Sequence, residues 1–254
     1  MRRCRARTGC HDHRRLSSRA GKVLIAAAQG ARYFKAGFGS EDRTMQKLVL
    51  ASQKGGVGKT TLALHLAVAA HEAGAGPVVM VDVDPQGSLA LTWNQRQAEH
   101  PAMARTTIAE LEHTLHDLEA DGFRLVVIDT PPAITATISS VLALADLVVV
   151  PTRPSPIDLA SVGGTLDLLE RSGNRPFFFV INAAKPSTRL SQQAATALAV
   201  HGQVATTIFD RVDFPTAMID GRTAGEMDPN GKAAAEIAEL WKIIAEHLHK
   251  QGGS

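Results

Sequence analysis

The 254-residue chain has two cysteines, Cys4 and Cys10, and both lie within the first ten residues. A disulfide framework needs cysteines spread through the fold, so the body of the chain reads as built for a reducing compartment. Cys4 and Cys10 beside His11 and His13 could be read as a metal cluster, but solvent-exposed tail residues are the simpler reading. Nor is there an apolar run near the ~20 residues that span a bilayer. The longest, 142–150, is broken by Asp146 and ends at Pro151. Segment 23–28 is too short and too poor in large apolar residues for a secretory leader. These absences predict a soluble cytoplasmic protein without a membrane partner. Beyond residue 44 there is no internal repeat and no low-complexity stretch.

What is present is an ordinary globular composition with an uneven charge. Hydrophobic residues make up 44% and charged residues 20% of the chain, enough for a core and a polar surface. The first 44 residues hold eleven basic and three acidic side chains, a net +8. The remaining 210 hold sixteen and twenty-two, a net −6. Residues 1–44 are therefore expected to be a basic disordered extension or a stretch ahead of a mis-set start. The domain is expected to occupy 45–254, with Met45 opening its first strand. A basic arm on an acidic body is also what a nucleic-acid-seeking tail looks like.

From Met45 short apolar runs alternate with longer amphipathic stretches. The runs 48–52, 78–82, 125–129, 147–151, 177–182 and 204–209 are continuous rather than alternating, as in strands buried on both faces of a parallel sheet. Helices are predicted over 59–73, 107–120, 157–171, 190–201 and 232–249. This βαβ rhythm predicts an α/β fold with a doubly wound, mostly parallel sheet.

The chemistry concentrates behind the first strand. Gln53-Lys54-Gly55-Gly56-Val57-Gly58-Lys59-Thr60-Thr61 lies between a strand and a helix. Glycines let such a loop turn its backbone N–H groups onto phosphate oxygens, with the helix N-terminus adding partial positive charge. Lys59 then neutralises the β- and γ-phosphates and Thr60 offers its hydroxyl to Mg²⁺. Strand 78–82 ends in Asp82, followed by Asp84-Pro85-Gln86-Gly87, and strand 125–129 ends in Asp129 before Thr130-Pro131-Pro132. Carboxylates at the carboxyl ends of such strands face the ligand crevice of a doubly wound sheet.

The loop departs from the general P-loop spacing: Gln53 stands where glycine is usual, and a second lysine, Lys54, precedes Gly55. The string from Lys54 to Thr61 resembles the deviant Walker A motif of the ParA/MinD ATPases, and the resemblance runs through most of 45–254. It implies that Lys54 reaches the partner's nucleotide in an ATP-dependent sandwich homodimer. It also implies that Asp84 orients the attacking water, and that Asp82 sits near Mg²⁺ or the phosphate loop. Asp129 would hold Mg²⁺ through water and Asn182 would bind adenine, with the loop 210–215 covering the base. The segment Pro151–Asp158 would stiffen a loop at the dimer face.

The end of the chain is similar to the short plasmid-partition members that lack an N-terminal helix-turn-helix domain. The implied function is an ATP- and Mg²⁺-dependent switch for DNA partition. The dimer would bind DNA without sequence preference and associate with the nucleoid, until a centromere-binding or adaptor protein triggers hydrolysis. Arg189, Arg211 and Arg222 are candidate DNA contacts. A positioning ATPase for a protein cargo is the alternative, and a P-loop kinase or synthetase a more distant one that Lys54 argues against. The iron-protein branch is excluded, because the body holds no cysteine to ligate a cluster. The C-terminal stretch 232–250 carries Ile237, Leu240, Trp241, Ile244 and Leu248 at helical spacing. With acids and bases balanced on its polar face it reads as a docked core helix rather than a membrane anchor.

Overall fold

A computed structural model describes residues 44–132, 136–186 and 188–251. The expectations for the basic extension before residue 44 lie outside these. Seven strands, β1 (Gln46–Leu50), β2 (Val78–Asp82), β3 (Ala102–Arg105), β4 (Leu125–Asp129), β5 (Leu147–Thr152), β6 (Phe177–Ala184) and β7 (Val204–Phe209), form one sheet. Its order is β3-β2-β4-β1-β5-β6-β7 and every pairing is parallel. The doubly wound α/β fold expected of the sequence is therefore present.

The helices are α1 (Lys59–Glu72), α2 (Ser88–Trp93), α3 (Leu111–Ala120), α4 (Ala136–Ala143), α5 (Pro156–Ala160), α6 (Val162–Arg171), α7 (Arg189–Ala199), α8 (Asp213–Ala217), α9 (Ala224–Met227) and α10 (Lys232–Gln251). They cover both faces of the sheet, which is why the strands read as unbroken apolar runs. On β4, Val126 and Ile128 face one core with α3, α4, α6 and α7, while Leu125 and Val127 face the other with α1 and α10. Ile237, Leu240, Trp241, Ile244 and Leu248 are all buried, as their spacing predicts for a docked α10.

Two departures have local causes. The edge strand β3 is absent from the sequence reading, because Ala-Met-Ala-Arg carries almost no strand signal. Pairing with β2 makes it a strand, and the Trp93 indole N–H, donating to the Pro101 carbonyl at 2.9 Å, holds its approach. The helix expected over 157–171 is two helices. Ser155 caps α5 with Pro156 at its first position. The Ser161 hydroxyl then donates to the Asp158 carbonyl at 2.6 Å, where the chain breaks before α6.

A buried polar cluster ties α1 to α9. His65 Nδ1 bonds the Thr61 carbonyl at 2.8 Å and its Nε2 accepts from the Ala224 amide at 3.0 Å. Both bonds require the neutral imidazole with its proton on Nδ1. Beside it Arg96 forms a bidentate pair with Glu226, which also closes the capping box of Thr223.

Burial lowers the His65 pKa to about 4, against 6.5 for the free side chain. The unfolded chain therefore binds a proton that the folded chain refuses, and stability contributed by neutral His65 is lost as pH falls from about 6.5 to about 4. His65→Gln should cost about 1–3 kcal/mol near pH 7.5 by losing satisfied buried bonds. It should also flatten the fall in stability across that window, read from urea unfolding at several pH values. An unchanged slope would remove His65 as its source.

Candidate functional site

The phosphate loop leaves the central strand β1 and enters α1. Gly56 and Gly58 take φ of 73° and 96°, the left-handed region that glycine enters without strain. At Gly58 space is also decisive, because a Cβ there would stand 2.1 Å from Asn182 Nδ2. Lys59, the first residue of α1, is only 7% exposed. Its ammonium donates to the Ser52 and Lys54 carbonyls, each at 3.3 Å. Burial lowers its pKa, and the nearby Asp129 and Asp84 carboxylates oppose that shift. A cation held this way against its own loop is poised to take a stronger anion.

The strand register brings the acids together. Leu50 of β1 pairs with Asp129 of β4, and Asp129 pairs with Asp82 of β2. The Thr60 hydroxyl donates to Asp129 Oδ2 at 2.6 Å, while Asp129 Oδ1 is buried without a partner. Burial pushes the Asp129 carboxyl up to about 7, and the Asp82 and Asp84 charges push the same way. A hydroxyl, a carboxylate oxygen without a partner and an excess of negative charge fit a hard divalent cation held in part through water. Thr130, next in the chain, anchors the loop after β4 by donating to the Leu50 carbonyl at 2.8 Å.

Asp82, expected near Mg²⁺ or the phosphate loop, has both carboxylate oxygens engaged by backbone amides. Its Oδ1 accepts from the Asp84 amide and its Oδ2 from the Ala90 amide, each at 3.0 Å. The buried carboxylate thus clamps the turn 83–87 and the start of α2. Asp84 itself lines the cavity, and its Oδ1 accepts from the Gln86 amide at 2.9 Å. The clamp holds Asp84 at the phosphate end of the cavity.

Gly55, Gly56, Gly58, Lys59, Thr60 and Thr61 form one wall of a cavity of about 560 Å³. Phe209, Asp210, Arg211, Phe214 and Pro215 form another wall, so the loop expected to cover a base borders this cavity. Glu236 of α10 fixes that wall by accepting from the Phe209 amide at 3.0 Å and from Arg211 Nε at 2.8 Å. Val57 of the phosphate loop is buried. Asn182 lines the cavity, but its Nδ2 donates to the Val57 carbonyl at 2.7 Å. Its donor therefore supports the phosphate loop rather than pointing to a base.

Lys54, expected to reach a partner's nucleotide, forms an ion pair with Asp158 of its own chain. Asp158 also accepts from the Ser155 hydroxyl. Burial pushes the Asp158 carboxyl up, but the bonds from Lys54 and Ser155 outweigh it and hold its pKa below the usual value. The sequence reading missed Asp158, because a carboxylate in the first turn of a helix reads as an ordinary cap.

Two of the three arginines considered for DNA are engaged elsewhere: Arg211 with Glu236 at 2.5 Å and Arg222 with Asp220 at 2.8 Å. Their charges are matched locally in the free chain. Arg189 opens α7.

A glycine-wrapped loop between the central strand and α1, with a buried lysine above a hydroxyl–carboxylate pair, places the chain among the P-loop nucleotide-binding proteins. Residues 48–224 match the CobQ/CobB/MinD/ParA nucleotide binding domain, and the chain belongs to this family. It is similar to maintenance of carboxysome distribution protein A of Gloeobacter kilaueensis, 46% identical over 110 residues. That match spans 42% of this chain and 49% of the relative, about half its length. The chain is 30% identical over 245 residues to the chromosome-partitioning ATPase Soj of Thermus thermophilus, covering 83% of this chain and 91% of Soj. In fold it resembles the septum site-determining protein MinD of Pyrococcus horikoshii, complexed with Mg-ADP, with a TM-score of 0.69 and 16% identity over 83% of this chain and all of that one.

The raised Asp129 carboxyl gives a stability test of the metal-free protein. An acid whose folded pKa lies above its unfolded value destabilises the fold at high pH, and the cost fades as pH falls through the folded value toward the unfolded one. Asp129→Asn keeps an acceptor for Thr60 and removes the buried charge. It should raise the thermal midpoint in EDTA at pH 8, with the gain shrinking toward pH 5. A lower midpoint at pH 8 would contradict this picture of Asp129.

Proposed function

We propose that the chain is an ATP-hydrolysing switch that closes as a homodimer around Mg²⁺ and ATP and positions a large cargo. The carrying observation is Lys54. It precedes Gly55 at the start of the phosphate loop, its side chain 34% exposed and paired with a carboxylate of its own chain. A partner's γ-phosphate can replace Asp158, whereas ADP lacks the group that would draw Lys54 away. The ligand thus shifts the monomer–dimer equilibrium through an interaction made in one state only, as any such switch requires.

Within one site Lys59 and the loop amides bind the phosphates. Thr60 and Asp129 hold the metal, which supplies charge neutralisation at the β- and γ-phosphates. Asp84 orients the water, and the pocket formed by Asn182 and the loop 210–215 takes the base. Turnover is expected to stay slow until a partner protein stimulates it. A kinase or synthetase would bind the same phosphates, but has no use for a second lysine ahead of the glycines of the loop.

The cargo has two readings. DNA partition, with non-specific DNA and a centromere-binding or adaptor protein as partners, is supported by the match to Soj over most of the chain. Positioning of a protein assembly is supported by two relatives named for carboxysome distribution. The second, from Halothiobacillus neapolitanus, is 27% identical over 212 residues, 94% of its length. A DNA-binding dimer should lose affinity steeply with salt, and a purely protein-directed one should bind no DNA.

Asp84→Ala should bind ATP yet hydrolyse it about 100-fold more slowly. On that background, sedimentation should show a dimer with ATP and a monomer with ADP. Adding Lys54→Ala should abolish the ATP-driven dimer while leaving nucleotide binding intact. A parent that stays monomeric with ATP at high concentration would rule out the switch and favour the kinase reading.

A further inference from the structure

Arg153 follows the end of β5, on the turn that leads into Pro154, Ser155 and α5. Its guanidinium lines the same cavity as Lys59 and Asp84. Nη2 lies 3.9 Å from where a Cβ on Gly56 would stand, so the side chain reaches over the phosphate loop. No hydrogen bond or ion pair among the described residues holds this guanidinium. Arg96, Arg211 and Arg222 are by contrast each paired with a carboxylate. Asp158, which feels the charge of Arg153, already serves Lys54 and Ser155. Two cations therefore share one carboxylate beside the phosphate loop, and positive charge is left over there.

The position along the cavity says which part of a ligand the surplus would meet. A Cβ on Gly55 would stand 3.8 Å from Pro132, in the segment that follows Asp129, and the same cavity is lined by Phe209 to Arg211, Phe214 and Pro215. Arg153 stands over the half of the loop that precedes Lys59, whose ammonium serves the β- and γ-phosphates. A guanidinium also presents a fork of N–H donors that matches phosphate oxygens in pairs, which an ammonium cannot.

We propose that Arg153 binds the terminal phosphate of the nucleotide in its own protomer, as a second cation of that chain beside Lys59, and makes the site prefer ATP to ADP. This rests on the nucleotide-site reading above and adds to it the residue that distinguishes the two nucleotides.

The test compares parent, Arg153→Gln and Arg153→Lys in dilute solution by titration with a fluorescent non-hydrolysable ATP analogue and with fluorescent ADP. Arg153→Gln should weaken the ATP analogue about tenfold or more, the loss expected for a charge-assisted bond. It should change ADP less than about twofold, and Arg153→Lys should recover part of the loss by restoring charge without the fork. Because the side chain is exposed, the unfolding midpoint without nucleotide should stay that of the parent. An equal loss for both nucleotides, or none for either, overturns the proposal. A parent that binds neither nucleotide contradicts the underlying site reading instead, so the two failures are distinguishable.

Discussion

Everything around the cavity depends on one contact, the hydrogen bond from Thr60 to Asp129 at 2.6 Å. It joins the first turn of α1 to the end of β4, and so fixes the phosphate loop against the sheet. The parallel register makes it possible, because Leu50, Asp129 and Asp82 lie side by side at the carboxyl ends of three neighbouring strands. That arrangement crowds carboxylates in a buried place, which costs stability in the free protein. Lys59 offsets part of the charge and Asp82 spends both oxygens on backbone amides. Asp129 is left with Oδ1 buried and unpartnered, a strain the fold keeps at the place where a divalent cation would relieve it.

The second layer of the site is built from pairings that a ligand could exchange. Lys59 rests on loop carbonyls, Lys54 on Asp158 and Asn182 on Val57. Each of these side chains has a partner in the free chain that is weaker or less charged than a nucleotide phosphate. Binding can therefore reorganise these side chains without disturbing the core. The firm attachments lie elsewhere, in the His65 cluster that ties α1 to α9 and in the Glu236 bonds that hold Phe209 and Arg211.

Most of the fold was legible in the sequence, because strands buried on both faces leave short unbroken apolar runs, punctuated by glycine turns and alternating with longer helical stretches. Three strands, β2, β4 and β7, begin and end where the apolar runs predict. Edge strand β3 was not legible, since its four residues are held by β2 and Trp93 rather than by their own propensity. In the site, the phosphate loop and Asp129 were legible because their spacing is dictated by the chemistry. The role of Asp82 was not, because a strand-end aspartate looks the same whether it holds a metal or two amides. Asp158 and Arg153 were invisible for a related reason: their meaning depends on which residues the β5–α5 turn brings near the loop, and those lie about a hundred positions away in the chain.

The most direct measurement of the central claim is calorimetric titration of ATP into the intact protein with Mg²⁺ and again with EDTA, alongside Lys59→Ala. The account predicts saturable binding that strengthens with Mg²⁺ and disappears when Lys59 is removed. Binding of equal strength with and without the metal, or unaffected by Lys59→Ala, would contradict it.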